Sequence, residues 1–367
     1  MIEHFFFWIL LLLCAGYFSI YCVLWYGLTG LLSPKVAADQ QGISIIVAAR
    51  NEERHIAQLL QSLVSQNYPP EKFEILVMND RSTDSTASIV ESFALLHGNV
   101  RLVNITSNSS DMPHKKNALR SGIAQSKFDI LAFTDADCEV PKNWLAEISK
   151  NFPDDFGAVA GFSPNVLTPS NSFLRYEENK NSLIAASAVE LKNAFMCTGR
   201  NFAYRKELYN EVGGFEKIKQ SISGDDDLFL QLVQRETRWK IRYMTSPESY
   251  VRTALPDSFK QFINQRTRHV SASKFYPVKI QFLYSLIHLF HLSIVAGFFV
   301  SPFITLIAWM IKFNIDGAFV ARGKKIFNAE FSVPEFIRNE ILLVLYSFLI
   351  APLGFLVKFD WKGTAHT

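Results

Sequence analysis

The sequence predicts an α/β domain, a Rossmann-like, mainly parallel sheet with flanking helices, joined to transmembrane helices. Two observations predict it. Short apolar runs alternate with helix-period segments through the middle of the chain, and three long uncharged blocks lie toward its ends. The 367 residues are 49% hydrophobic and 19% charged, the latter below the roughly 25% of an ordinary soluble domain. That length makes two or three packing units. A formal net charge of +3 without a dense Lys/Arg tract argues against a nucleic-acid partner. Four cysteines, none in a Cys-x-x-Cys pair, provide neither a disulfide framework nor a zinc site.

The first block, Phe5 to Leu32, has 28 residues without a charge. A helix needs about 20 apolar residues to cross a hydrocarbon core. The start Met1-Ile2-Glu3-His4 carries no Lys or Arg and the run is too long for a signal peptide, so a retained anchor over 1–34 is expected. Ile280 to Ile311 is uncharged over 32 residues, too long for one straight crossing, and Pro302 offers a break between spans near 280–300 and 302–320. Ile341 to Val357, 17 residues containing Pro352, is a marginal further span. Two or three spans are therefore expected within 280–358, with a tail over 359–367. Lys35 and the Arg322, Lys324, Lys325 cluster place the middle domain on the cytoplasmic side of the cell membrane. The sequons at Asn104 and Asn108 read as loop residues. His288 and His291 read as polar contacts within the helix bundle, with a ligand pair as the alternative.

Between 42 and 255 the pattern changes. Ile43–Arg50 is a buried strand by its continuous Ile/Val content. Asn51–Gln66 follows with Ile56, Leu59, Leu60 and Leu63 at helical spacing. Strand Phe73–Asp80, helix Thr83–Leu96, strand Val100–Thr106, helix Lys115–Gln125 and strand Asp129–Asp137 continue the alternation, which marks a mainly parallel sheet. Ligands of such sheets bind beyond the carboxyl ends of the strands. Here those ends are Arg50-Asn51-Glu52, Asn79-Asp80 and Asp135-Ala136-Asp137. Carboxylates crowded on one rim repel unless a cation sits among them, and a divalent metal holding a polyphosphate meets that need. No Gly-x-Gly-x-x-Gly follows the first strand and no P-loop exists, which excludes those nucleotide sites.

The order of these motifs resembles the family 2 glycosyltransferases of GT-A fold, in the membrane-anchored branch related to cellulose, chitin and hyaluronan synthases. The resemblance covers about 42–279. It implies that Ala48, Glu52 and Asp80 hold the base and ribose of a nucleotide, usually uridine. It puts Lys115 and Lys116 near the nucleotide or its phosphates. Asp137 would bind Mn²⁺ or Mg²⁺ directly, with Asp135 beside the ribose and metal. Cys197-Thr-Gly-Arg-Asn-Phe-Ala-Tyr-Arg205, ahead of Gly213-Gly214-Phe215, resembles the acceptor-loop segment, so Gly199, Arg200 and Asn201 fall on the acceptor side.

Ser223-Gly-Asp-Asp-Asp-Leu228 leads into the amphipathic run Leu228–Val233. An inverting transfer needs one carboxylate as general base on the acceptor hydroxyl. Aligned on the following Asp-Leu, Asp225 matches the family's base; aligned on Gly-Asp-Asp, Asp226 does. Gln265-Arg-Thr-Arg-His269 resembles the family's Gln-x-x-Arg-Trp element, which puts Gln265 and Arg268 on the donor diphosphate. His269 stands where the family usually has Trp, which puts the aromatic stacking there, and a long-polymer synthase role, in doubt. The same stretch, 256–279, reads as an amphipathic interfacial helix. The resulting expectation is an inverting, metal-dependent glycosyltransferase using a nucleotide-sugar donor and a membrane-proximal glycan or lipid acceptor. A metal-dependent nucleotidyltransferase and a catalytically decayed membrane-tethered sugar-binding protein are the alternatives.

Overall fold

The computed structural model describes residues 1–32, 40–106, 112–164, 172–256, 258–350, 359–361 and 364–366. The Asn108 sequon and residues 351–357, including Pro352, lie outside them. The chain forms two compact units. One takes Met1–Gly30, Leu167–Ser187 and Pro256–Thr367; the other takes Leu31–Val166 and Ala188–Leu255. Helix α1, Ile2–Gly27, belongs to the first.

The second unit follows the expected alternation. β1 (Ile43–Ala49), α2 (Ile56–Val64), β2 (Phe73–Asn79), α3 (Thr86–Leu96), β3 (Val100–Asn104), α4 (His114–Gln125) and β4 (Ile130–Phe133) run in order. β5 (Cys138–Glu139), α5 (Trp144–Lys150) and β6 (Phe156–Gly161) follow. After α6 (Ser172–Glu190) come β7 (Phe202–Arg205), α7 (Lys206–Glu211), α8 (Asp227–Glu236), β8 (Lys240–Met244) and β9 (Arg252–Thr253). Seven strands form one sheet in the order β3-β2-β1-β4-β7-β6-β8. β1 pairs in parallel with both β2 and β4, whereas β7 runs antiparallel to β4 and β6.

The Ile/Val runs of β1 and β2 are buried at nearly every position, as strands covered on both faces must be. Leu59, Leu60 and Leu63 of α2 pack into the same core as Ile45, Val47 and Ile75. α2 starts at Ile56 and not at Asn51, because Asn51 sits at φ 56°, a left-handed conformation that a helix does not admit. Arg81, just past β2, has φ 57°. Two successive strand ends thus leave the sheet through left-handed turns. Gly122 of α4 shows a close approach: a Cβ there would lie 2.6 Å from Ile46 Cγ2. Glycine lets α4 lie flat on β1 and β2, with its N-terminus over the strand ends.

The first unit adds α9 (Phe259–Ala272), α10 (Val278–Val300), α11 (Pro302–Phe327) and α12 (Val333–Ile350), with a short hairpin of β10 (Phe359–Trp361) and β11 (Thr364–His366). The long block breaks at Pro302, the first residue of α11. Among the described residues, three helices are long and apolar enough to cross a membrane: α1, α10 and α11. The two buried charges of α11, Lys312 and Asp316, are neutralised in place. Lys312 and Lys180 each pair with both Asp316 and Glu340, and the Tyr17 hydroxyl donates to Asp316 at 2.7 Å. Two cations against two anions, all buried, leave no net charge in an apolar bundle. His288 contacts the Ser347 hydroxyl at 3.0 Å, while His291 packs beside the Tyr17 and Phe290 rings. Leu167–Ser187 joins this unit even though it falls inside 42–255 of the sequence.

Candidate functional site

The strand order reverses direction between β1 and β4, and open α/β sheets bind ligands at such a switch point. A small open cleft lies there. Its walls are Ala48 of β1, Phe133 of β4 with the following Thr134 and Asp135, Lys115 and Leu119 of α4, Gly199, Phe202 and Tyr204, and Asp225. Residues spread over almost 180 positions of sequence meet because strand ends and helix starts converge on the same rim.

Lys115 is the electrostatic centre. Its ammonium lies 3.0 Å from Asp135 Oδ1 and 3.0 Å from Asp225 Oδ2, so those two carboxylate oxygens are within about 6 Å of each other. Asp135 is the more open of the two, its side chain 39% exposed against 9% for Asp225. Asp226 faces a different task. Its carboxylate accepts the Gly199 N–H at 2.8 Å and the Asp227 N–H at 2.8 Å, capping α8 and tying down the segment that carries Arg200. Burial, and then the neighbouring Asp225, push its carboxyl above the usual range, against the pull of Lys115 and the two amides. Only Asp225 of the Asp225-Asp226-Asp227 run lines the cleft. Gly224, at φ +83°, turns the chain just before it.

Of the other expected residues, Asp137 is half-buried and is not among the cleft-lining residues. Burial and the Asp135 charge raise its carboxyl above the usual range, and Arg200 opposes that rise. Arg200 is fixed by Ser163, donating to its hydroxyl at 2.6 Å and its carbonyl at 3.1 Å. Asp80 is buried at the end of β2, paired with Arg81 at 2.9 Å, and Arg81 donates to His114 Nδ1 at 2.7 Å. Glu52 sits in the first turn after β1, its N–H donating to Thr86 Oγ1 at 2.8 Å. Neither Asp80 nor Glu52 is among the cleft-lining residues. Asn201, expected on the acceptor side, is instead enclosed: it accepts from Trp144 Nε1 at 3.0 Å and donates to the carbonyls of Phe162 and Ser249. Lys116, expected near the phosphates, is also buried, with its ammonium on backbone carbonyls. Gln265 and Arg268 lie on α9, in the helical unit.

Sequence reasoning missed Thr134, Phe133, Phe202 and Tyr204. Phe202 and Tyr204 carried a signal, since alternate residues of a strand share a face, and the stacked Phe133 and Tyr204 rings floor the cleft, 4.6 Å apart. Thr134 gave none beyond its place before Asp135. Its hydroxyl oxygen is buried without a hydrogen-bond partner.

A mainly parallel sheet with this rim, an Asp-x-Asp turn leaving its fourth strand and a late acidic helix start, defines a GT-A domain. Comparison with known proteins carries this to a family. The pattern of "Glycosyl transferase family 2" matches residues 44–213, and that of "Glycosyl transferase family group 2" matches residues 130–357, more than half of the chain. The chain belongs to the family 2 glycosyltransferases. It is 28% identical over 244 residues to the probable glycosyltransferase YdaM of Bacillus subtilis, covering 65% of this chain and 56% of that protein. It is 27% identical over 226 residues to a beta-monoglucosyldiacylglycerol synthase of Synechocystis, covering 58% and 45%. The poly-beta-1,6-N-acetyl-D-glucosamine synthase of Staphylococcus epidermidis matches at 28% over 190 residues, 50% of this chain and 41% of that one. The chain spans about half the length of these curated relatives. A solved mannosyltransferase of Pyrobaculum calidifontis, PcManGT, in complex with GDP-Man and Mn²⁺, shares the fold with a TM-score of 0.60 at 20% identity, over 96% of this chain and 99% of that one.

Proposed function

We propose that this chain is an inverting glycosyltransferase. It moves a sugar from a nucleoside diphosphate sugar, a UDP-sugar by the family resemblance, to a hydroxyl of a glycan or lipid at the membrane. The observation that carries the reading is the Lys115 bridge, which brings Asp135 and Asp225 together in the switch-point cleft. Asp225 takes the proton of the acceptor hydroxyl as its oxygen attacks the anomeric carbon. The bond from that carbon to the diphosphate breaks on the opposite face, and its electron pair leaves with the nucleoside diphosphate. A single displacement inverts the centre, with no covalent enzyme intermediate. Lys115 stands where it can answer negative charge on the leaving group. Asp226 keeps Gly199 and the start of α8 in place.

Asp137 and Asp135 would hold Mn²⁺ or Mg²⁺. The pair fits a dication: two acids near each other, with Asp137 held above its usual range by burial and by Asp135, are relieved by a positive ion. Among the described residues no group of three or more His, Cys, Asp or Glu could hold a metal, and donor phosphate oxygens would supply the further ligands, as is usual for Mg²⁺. When bound, the ion would neutralise charge developing on the departing diphosphate. Gln265 and Arg268 are assigned to the same diphosphate by the family resemblance, and guanidinium suits phosphate oxygens. The spans and basic clusters support a catalytic unit on the cytoplasmic side of the cell membrane. The relatives named for a glycolipid and for a polysaccharide support a lipid or glycan acceptor.

The test is a panel of nucleotide sugars offered to membranes containing the chain, with and without EDTA. Release of UDP or GDP with sugar on an acceptor, abolished by EDTA, supports the reading. Release of pyrophosphate would make the chain a nucleotidyltransferase. Binding without turnover, unchanged in Asp137→Ala, would make it a decayed binding protein.

A further inference from the structure

Lys115 and Lys116 are neighbours on α4, about 100° apart around the helix. The first reaches the cleft and the second turns away from it into the protein, where it is fully buried. The Lys116 ammonium donates to three backbone carbonyls, those of Ile218 at 2.8 Å, Ser221 at 2.6 Å and Ser223 at 2.9 Å. An ammonium has three protons and no acceptor, so its capacity is fully used. All three carbonyls belong to one loop. It begins at the short 3-10 turn Glu216–Ile218 and ends at Gly224, one residue before Asp225.

A lysine buried on neutral acceptors carries a desolvation cost that an apolar side chain of the same length avoids. Filling space does not explain it. What the charge supplies is geometry: one cation pulls the start and the end of the loop onto a single point. Between the last of these carbonyls and Asp225 stands Gly224, whose left-handed φ sets the direction of Asp225.

We infer that Lys116 is the positioning residue of Asp225: it staples the Ile218–Ser223 loop so that the cleft carboxylate is held opposite Asp135. This deepens the reading of Asp225 as the base and rests on it for its kinetic consequences. Burial lowers the Lys116 ammonium to about 8; the nearby Asp225, Asp226 and Asp227 favour its charged form, and Lys115 disfavours it. Loss of one proton removes one of the three donors and frees one of the three carbonyls, so above that value the loop is held less narrowly in direction even though the neutral amine is less costly to bury.

The experiment uses the full chain in lipid nanodiscs, with Lys116→Met and Lys116→Arg. Amide hydrogen exchange reads the staple without reference to activity. In Lys116→Met, exchange of the peptide covering 216–227 should rise by about tenfold or more while the β1 and β2 amides stay protected. Lys116→Arg, still charged, should restore most of that protection. In turnover, Lys116→Met should lower kcat about tenfold with donor KM nearly unchanged. Wild-type kcat should fall as pH rises through about 8, a limb that Lys116→Arg should lack. Unchanged exchange over 216–227 in Lys116→Met overturns the inference, whatever the activity. So does a variant that loses donor KM in place of kcat. Should Lys116→Met unfold, exposing β1 and β2, Lys116→Arg decides: retention of the wild-type alkaline limb in that variant overturns the proposal. Absence of sugar transfer by wild-type protein would count against the transferase reading alone, and exchange would still judge the staple.

Discussion

Asp225 and Asp226 are adjacent acids with separable duties, and exchanging each for its amide should separate them. Asp225 faces the cleft, and apart from its 3.0 Å pair with Lys115 it is available to a substrate. In Asp225→Asn the shape is kept and, on the proposed mechanism, the base is lost. General bases contribute about 10²- to 10⁴-fold, so kcat should fall by that factor, or ~3–5 kcal/mol in the barrier. The thermal midpoint should scarcely move, because Lys115 retains Asp135 at 3.0 Å. Asp226→Asn should do the reverse. Its carboxylate accepts two backbone N–H groups, from Gly199 and Asp227, and an amide can accept only through its oxygen. Losing one charge-assisted bond and half of a helix cap costs ~1–3 kcal/mol of stability. The kcat loss should be less than that of Asp225→Asn. The assay is initial-rate transfer in nanodiscs at saturating donor and acceptor, with thermal unfolding of the same samples. If Asp226→Asn abolishes kcat at an unchanged midpoint while Asp225→Asn stays active, the assignment of the base is refuted.

Gly224→Ala should cost about 1–3 kcal/mol of stability and lower kcat. Its φ of +83° disfavours any side chain, and a Cβ there would lie 2.5 Å from Leu228 Cδ1; thermal unfolding and initial rates measure both. Thr134 presents a buried hydroxyl oxygen without a partner to a cleft wall. Thr134→Val should leave stability equal or higher while the donor Kd rises about tenfold, and Thr134→Ser should keep the wild-type Kd, as titration calorimetry with the donor would show. Lys116 also links stability to pH. Its ammonium is at about 8 in the fold against 10.5 ordinarily, so between those values the unfolded chain binds more protons. Stability should therefore rise with pH across that window by about 3 kcal/mol, a slope that Lys116→Met should lose in unfolding curves taken from pH 8 to 10.5.

Much of the fold was legible because its signals are local. The Ile/Val content of 43–49 and 73–79 marks strands buried on both faces, and those strands are found there. Pro302 breaks the long apolar block where its ring demands. The site was legible only in part. Lys115, Asp135 and Asp225 stand out as charges at element ends. Lys116 and Asn201 carry the same residue types in the same motifs, yet their side chains turn inward to backbone carbonyls, a difference decided by helix phase and by the loops that pack against them. The antiparallel β7, and with it the Phe202 and Tyr204 wall, comes from a pairing with β4 some 70 residues away in sequence. No local pattern encodes that register. Thr134 was silent because a lone threonine after a strand is common, and its significance lies in a missing partner.

The most direct measurement is the anomeric configuration of the product. With an α-linked nucleotide sugar as donor and membranes containing the chain, proton NMR of the new glycosidic bond reports it in one experiment. Attack by an acceptor hydroxyl deprotonated at Asp225 yields a β-linked product and free nucleoside diphosphate. An α-linked product would contradict the displacement at that cleft.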